Sequence, residues 1–320
     1  MTAVAEDPAV SRHSETADSC SGVLLLDKPS GITSHDAVDI VRRRFNTRRV
    51  GHAGTLDPMA SGLLLIMVGR ATKIARYLTG LPKTYTATIR FGWMSTTGDA
   101  EGELQPDGDV SVLTDKHVAS AVAAHHGRLT QVVPAYAAKR SQGQRRYELA
   151  RAGGALPEMT HQVIIHSIQL TSWNPPDATI RVECSSGTYI RSLAESIGRA
   201  VNCGGYVTAL RREAIGRWTV GDADTIENLD QSATLHSIDD VLTYPRLVLI
   251  DDCESVVAQG QPIRRRYVNS IECDFSDDDI AVLSDPAGRV LAIGRVMVSS
   301  TAWSDIDDDA TVFRYERVLL

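Results

Sequence analysis

The order of apolar and polar positions along the chain predicts strands and helices that do not alternate strictly. Apolar runs predict strands at 23–26, 62–69, 163–170 and 178–184, and the segment 84–91 alternates between two faces. Apolar residues at three- and four-residue spacing predict helices starting at Thr33 or Ser34, over 115–126 and over 188–201. Because these elements do not form regular βαβ units, the pattern favours an α/β or α+β sheet domain over a doubly wound nucleotide fold.

The same pattern divides the chain into three parts. Residues 1–20 have no apolar period and are predicted to be a disordered tail. Residues 21–245 form the main domain, in which 48–59 is Gly-rich and predicted to be irregular. Short β-like runs at 246–250, 280–283 and 290–296 predict a small β-rich domain over 246–320.

Composition narrows the class of protein. The chain has 320 residues, 43% of them hydrophobic, which is ordinary for a globular protein. No apolar stretch reaches the roughly 20 residues that span a bilayer, and the first twenty residues carry acids without an apolar core. The five cysteines are scattered and form no C-x-x-C pair, which disfavours a disulfide framework and a zinc site. We therefore expect a protein of the reducing cytoplasm.

Charge is distributed unevenly around a formal net charge of -7. The segment 124–154 holds six basic residues against one acid, whereas 246–320 holds eight against fourteen. Further basic clusters lie at 42–49 and 211–217. One such cluster is commonly only solvated surface, but three in a weakly charged domain indicate a polyanionic partner, because phosphates respond to the local field.

No sequence motif indicates a cofactor or a metal. The chain lacks a phosphate-binding P-loop, a G-x-G-x-x-G motif after a strand, H-E-x-x-H and G-x-S-x-G. Chemistry by side chains alone is the expectation, with no metal.

The most unusual segment runs from Arg49 to Gly62 and contains Asp57 followed by Pro58. An Asp-Pro pair alone often only starts a turn. However, this segment together with 22–34, 68–73, 83–85, 184–194 and 204–212 resembles the bacterial TruB family of tRNA pseudouridine-55 synthases, block by block and in the same order. The C-terminal part, 246–320, more loosely resembles a PUA-like RNA-binding domain.

The resemblance implies a fold and a reaction. The fold is the pseudouridine synthase fold, α/β (α+β) with a central mixed, largely antiparallel sheet and flanking helices. The reaction isomerises uridine 55 in the T arm of tRNA after the base has been flipped out of its stack, without a cofactor. Asp57 corresponds to the catalytic aspartate, Arg191 to its ionic partner and Tyr85 to the active-site tyrosine, although Tyr85 alone fits a plain core position.

The resemblance also implies substrate contacts. Tyr189 and Leu210 would hold the flipped uracil, His52 would fill the gap it leaves, and Lys28 would support the site or contact phosphate. For Leu210 a plain core role fits nearly as well. The RNA-gripping insertion is expected at about 124–154. Expected contacts with the RNA backbone are Arg140, Arg145, Arg146, Arg151, Arg211 and Arg212.

Other functions stay open at this stage. One is a related uridine isomerase directed to another RNA by partner proteins and a guide RNA. Another is an RNA-binding folding factor without chemistry, and a third is an unrelated sugar-acting α/β enzyme with two carboxylates. The leading expectation is a monomer that acts on tRNA with no obligatory protein partner and no membrane.

Overall fold

The computed structural model describes residues 21–134, 140–141, 144–145, 159–230 and 233–320. The helices are α1 Ser34–Arg44, α2 Ala75–Thr79, α3 Asp115–Ala123, α4 Ile190–Ala200, α5 Ile238–Val241 and α6 Glu254–Ala258. The strands are β1 Gly22–Lys28, β2 Val50–Ala53, β3 Ser61–Val68, β4 Lys83–Phe91, β5 Trp93–Ser95, β6 Leu104–Pro106, β7 Gly127–Val132, β8 Arg140–Ser141, β9 Gln144–Arg145, β10 Thr160–Asn174, β11 Asp177–Cys184, β12 Gly205–Ile215, β13 Trp218–Thr219, β14 Asp224–Thr225, β15 Arg246–Leu249, β16 Ile263–Arg264, β17 Val268–Glu272, β18 Ile280–Ser284, β19 Val290–Val296 and β20 Thr311–Val318. The predicted tail and about half of the predicted insertion lie outside the described residues.

Ten of the described strands form one large sheet. Its main order is β14-β1-β3-β12-β4-β11-β10-β7, with β13 paired to β12 and β2 paired to β3. The pairs β1–β14 and β3–β12 are parallel, whereas β12–β4, β4–β11, β11–β10 and β10–β7 are antiparallel. The predicted class, a mixed and largely antiparallel sheet with helices, is confirmed.

Local sequence explains the elements that the pattern predicted. Strand β4 buries every second side chain, as its alternation requires. Helix α1 begins at a capping box, in which Thr33 accepts from the Asp36 amide at 3.0 Å and its own amide donates to the Asp36 carboxylate at 2.8 Å. Helix α4 packs its apolar stripe of Ile190, Leu193 and Ile197 into the main core.

Several strands are absent from the sequence prediction, among them β2 and β7 of the large sheet. Strand β2 falls within the segment predicted to be irregular, because it has only four residues and depends on pairing with β3. Strand β7 begins at the glycine predicted to end a helix. Its one fully buried side chain is that of Gln131, so hydrophobic alternation gives no indication of it.

The chain separates into two compact units. Among the described residues, one unit comprises those of 25–66 and 75–233, and the other comprises 21–24, 67–74 and 234–320. Within the second unit, six strands form a sheet in the order β16-β20-β19-β18-β15-β17, around a core that includes Leu247, Val257 and Phe313. The β-rich character predicted for 246–320 agrees with this sheet, and the boundary at 245 stays a prediction.

None of the helices in the described residues has the length and apolar character needed to cross a membrane.

Candidate active site around Asp57

The loop that carries Asp57 joins β2 to β3 and is held to the first turn of α1. The Ser34 hydroxyl donates to the Leu56 carbonyl at 3.1 Å and accepts from the Leu56 amide at 2.9 Å. The Gly31 amide donates to the Pro58 carbonyl at 2.9 Å. These bonds fix the backbone on both sides of Asp57, so its side chain projects from a restrained loop.

Gly62, the second residue of β3, follows this loop and lies very close to the backbone of β12. Its φ is +104°, and a Cβ added there would lie 2.3 Å from the Arg212 carbonyl oxygen. Any side chain at this position would therefore be strained and would also push β12 away from β3.

We expect Gly62→Ala to destabilise the protein much more than Gly31→Ala, measured as the free energy of unfolding in denaturant. Gly31 also has a positive φ, +90°, but an added Cβ there meets nothing within 4 Å. The matched control should therefore cost only the left-handed backbone penalty of about 1–2 kcal/mol. Equal losses in the two variants would show that the contact with Arg212 is unimportant.

Asp57 and Arg191 form the ion pair at the centre of the site. The Arg191 Nη2 lies 3.0 Å from Oδ2 of Asp57, and the side chains are 7% and 33% exposed. Arg191 therefore sits inside the protein, while Asp57 retains a face that a ligand can reach. The first turn of α4 places Arg191 there.

Asp99 is a second acidic partner of Arg191. Its Oδ2 lies 3.3 Å from Nη1 of Arg191, and the Asp99 side chain is only 5% exposed. Arg191 Nη1 also donates to the Thr97 carbonyl at 3.0 Å. Thr97 and Asp99 thus hold Nη1 of the guanidinium, while Nη2 contacts Asp57.

The charge state of Asp57 results from opposing effects. Burial raises the pKa of Asp57 above its ordinary value, Arg191 opposes that rise, and Asp99 adds to it. The charged form of Asp57 thus depends on Arg191. An ionised carboxylate that a ligand can reach is suited to nucleophilic attack or to proton removal.

Tyr85 lies on β4 and belongs to the same core cluster as Leu56 and Leu210. Leu56 immediately precedes Asp57 in the loop, and Leu210 lies on the neighbouring strand β12. Burial raises the pKa of the Tyr85 phenol, and the Arg212 guanidinium opposes this rise. The buried phenol is thus neutral near pH 7 in the free protein, which suits stacking or hydrogen bonding.

The backbone of Tyr189 is held by the side-chain amide of Gln131. The Tyr189 amide donates to Oε1 of Gln131 at 2.9 Å, and Nε2 of Gln131 donates to the Tyr189 carbonyl at 3.2 Å. Tyr189 immediately precedes α4, so these two hydrogen bonds orient the start of the helix, whose second residue is Arg191.

His52 and Lys28 are both buried to a large extent near the Asp57 loop. His52, on β2, is half-buried, and burial lowers its pKa; its Nδ1 has no hydrogen-bond partner among the described residues. Lys28 is fully buried, and its Nζ donates to the carbonyls of Pro29 at 2.9 Å and Ile32 at 2.8 Å. Burial lowers the pKa of Lys28 to about 8, against the attraction of Asp57. These contacts favour an architectural role for Lys28.

The arginines expected to contact the RNA backbone differ in their placement. Arg211 is half-exposed and forms a bidentate pair with Asp27, at 3.0 and 2.7 Å. Arg212 is buried, which favours a role inside the protein over a contact with phosphate. For Arg140 and Arg145 only the backbone is described, and Arg146 and Arg151 lie outside the described residues.

Sequence reasoning missed Asp99 and Gln131. Asp99 lies in the segment Thr96-Thr97-Gly98-Asp99, where the small polar residues and glycine could have indicated a functional turn. Gln131 gives no such signal, because only its contact with Tyr189 distinguishes it. Within the described residues, no group of three or more His, Cys, Asp or Glu side chains is arranged to hold a metal.

Comparison with known proteins places the chain in a family. Residues 42–190 match the model of the TruB family pseudouridylate synthase (N terminal domain). The chain is 42% identical over 302 residues to tRNA pseudouridine synthase B of Burkholderia mallei, covering 92% of this chain and 95% of that protein. It is 40% identical over 286 residues to the protein of that name from Mycobacterium leprae, covering 86% and 87%.

Solved structures share the fold at lower sequence identity. A Cbf5-Nop10-Gar1 complex contains a chain that matches with a TM-score of 0.74 and 21% identity, covering 95% of this chain and 86% of that one. An H/ACA RNP bound to a substrate RNA containing 2'-deoxyuridine matches with a TM-score of 0.73 and 20% identity, covering 93% and 85%. The sequence relatives carry the assignment: the chain belongs to the TruB family of pseudouridylate synthases.

Proposed function

We propose that the protein converts uridine to pseudouridine at position 55 in the T arm of tRNA. The names of its relatives support tRNA as the substrate class. The observation that carries the proposal is the Asp57–Arg191 pair, at 3.0 Å and with Asp57 partly open to solvent. It supplies a positioned carboxylate, which is the group this isomerisation needs.

The reaction exchanges one glycosidic bond for another within the same nucleotide. The N1–C1′ bond breaks, the uracil turns, and C5 bonds to C1′; C5 then loses its proton and N1 gains one, so that all atoms balance. Asp57 acts on the ribose, either at C1′ or by removing a neighbouring proton. Both roles require an ionised carboxylate, and Arg191 favours that form.

The remaining site residues hold the flipped base. Tyr85 stacks on the uracil, Leu210 packs against it and Tyr189 supplies a hydrogen bond. His52 occupies the space that the base leaves in the RNA. Extrusion costs a few kcal/mol of unstacking, and these contacts offset it.

The direct test is to incubate the purified protein with a T-arm stem-loop and to map any pseudouridine formed. We expect conversion at position 55 and none in a stem-loop with cytidine at that position. Conversion by the purified protein alone supports action without partner proteins or a guide RNA, whereas a requirement for either favours the guided isomerase. Binding without conversion would leave only an RNA-binding folding factor.

The proposal extends to the other parts of the molecule. Residues 21–245 carry the isomerase, and 246–320 act as a PUA-like RNA-binding domain. The protein acts as a monomer in the cytoplasm. The free state of Cys184, Cys203, Cys253 and Cys273 is consistent with a reducing compartment.

Binding of tRNA is expected to weaken steeply as salt rises, because basic side chains displace counterions from phosphates. Each phosphate contact contributes about one unit to the slope of log K against log salt. Titrations between about 50 and 200 mM salt measure this slope. Arg140→Ala should flatten it by roughly one unit if this arginine contacts a phosphate. An affinity that does not respond to salt would contradict the argument from basic clusters.

A further inference from the structure

Arg212 is an unusual residue of the central sheet, because its guanidinium is buried. The residue is 1% exposed, whereas arginines are mostly found at the surface. Its Nε donates to the Leu63 carbonyl at 2.7 Å and its Nη2 to the Gly54 carbonyl at 3.0 Å. These two carbonyls lie on either side of Asp57 in sequence. The Arg212 side chain therefore holds both ends of the loop that carries Asp57.

The main chain of Arg212 contacts the same loop. Arg212 is the register partner of Gly62 where β12 runs parallel to β3. The contact is so close that a Cβ on Gly62 would lie 2.3 Å from the Arg212 carbonyl oxygen. Main chain and side chain thus restrain the loop together.

On its other side, β12 brings Arg212 to Tyr85. The two residues are directly opposite in the antiparallel β12–β4 pair, so their side chains lie on the same face of the sheet. The Arg212 guanidinium also opposes the rise that burial causes in the pKa of the Tyr85 phenol. Arg212 is therefore next to both the loop of Asp57 and the proposed base-stacking tyrosine.

We propose that Arg212 is a positioning residue, which fixes the Asp57 loop relative to Tyr85 in the geometry that isomerisation requires. This role rests on the proposed function. A planar guanidinium holds its donors in a rigid fork, so Arg212 binds the Leu63 and Gly54 carbonyls through two separate nitrogens, whereas a lysine has all its donors on one rotatable nitrogen. Misplacement of reacting groups by about 1 Å can cost about 100-fold in rate.

The test compares Arg212→Lys and Arg212→Met with the wild type by single-turnover conversion of a T-arm stem-loop. Melting temperature and RNA Kd are measured for each variant. Arg212→Lys retains the charge but loses the fork. We expect its turnover rate to fall about 30- to 100-fold while its RNA Kd stays within about threefold, since the loop and not the RNA contacts is disturbed. Arg212→Met should fall at least as far.

Arg90→Lys is the matched control. Arg90 lies on β4 of the same sheet and pairs with Asp177 at 2.8 and 2.7 Å. Its partner belongs to β11 and not to the loop that carries Asp57. It loses the same guanidinium geometry and should keep wild-type turnover. Combining Arg212→Lys with Tyr85→Phe should give a smaller loss than the product of the two single losses, because the residues act together.

The outcomes separate the two proposals. A folded Arg212→Lys protein that turns over within about threefold of the wild type overturns the role of Arg212, as does a loss that appears only in Kd. If neither variant folds, the residue is structural and the proposal is again overturned. If the wild type forms no pseudouridine, the proposed function itself fails.

Discussion

Asp57→Asn is expected to abolish pseudouridine formation while leaving RNA binding within a few-fold of the wild type. The substitution removes the negative charge but almost no volume, and the amide cannot attack C1′ or take up a proton. A loss of on the order of 10⁴-fold or more, equivalent to about 5.5 kcal/mol, is expected in single-turnover rate. The measurement is conversion of a T-arm stem-loop, alongside its Kd.

Asp177→Asn is the matched control for this experiment. Asp177 is also an aspartate paired with an arginine of the large sheet, Arg90, but it belongs to β11 and not to the Asp57 loop. It should turn over like the wild type. Full turnover by Asp57→Asn would remove the carboxylate from the reaction and with it the central proposal.

Arg191→Met should also reduce turnover strongly, for an electrostatic reason. The variant leaves the carboxylates of Asp57 and Asp99 without the cation between them. Losing one partner of a buried pair typically costs about 3–5 kcal/mol, which is roughly 10²–10⁴-fold when it appears in the rate. The pKa of Asp57 should rise further, because the group that opposes the effect of burial is gone.

The pH profile distinguishes this effect from simple misfolding. Asp57 must be ionised, so the rate should fall as pH drops through its pKa, and in Arg191→Met this acid limb should move to higher pH. Raising the pH should therefore recover part of the activity. Adding Asp99→Asn should move the limb back towards lower pH, because it removes the negative charge that helps to raise the pKa. An unchanged limb in Arg191→Met would contradict this account of the site.

The sequence predicts the main sheet well where side-chain polarity reports burial. Strand β4 alternates, and β3 is a continuous apolar run buried along nearly its whole length. Both patterns are readable because the hydrophobic effect acts through residue type. Strand β7 is the contrary case, since its buried position is occupied by a polar residue whose hydrogen bonds are made to a segment almost sixty residues away.

The candidate site divides in the same way. Asp57 and Arg191 follow from the resemblance, and the structure places their charged atoms 3.0 Å apart. Asp99 and the buried placement of Arg212 could not be predicted, because both depend on contacts between segments distant in sequence. The expected contacts in the insertion stay predictions, as Arg146 and Arg151 lie outside the described residues.

The two hydrogen bonds between Gln131 and Tyr189 constrain the length of β7 as well as its composition. Successive side chains of a strand point to opposite faces, so deleting or adding one residue before Gln131 would turn its amide to the other face. Thr130 or Val132 would then face Tyr189, and neither offers a side chain that both accepts from an amide and donates to a carbonyl at that reach. Homologous chains should thus vary freely in residue type on the outer face of β7, yet keep its residue count from Gly127 to Gln131 unchanged.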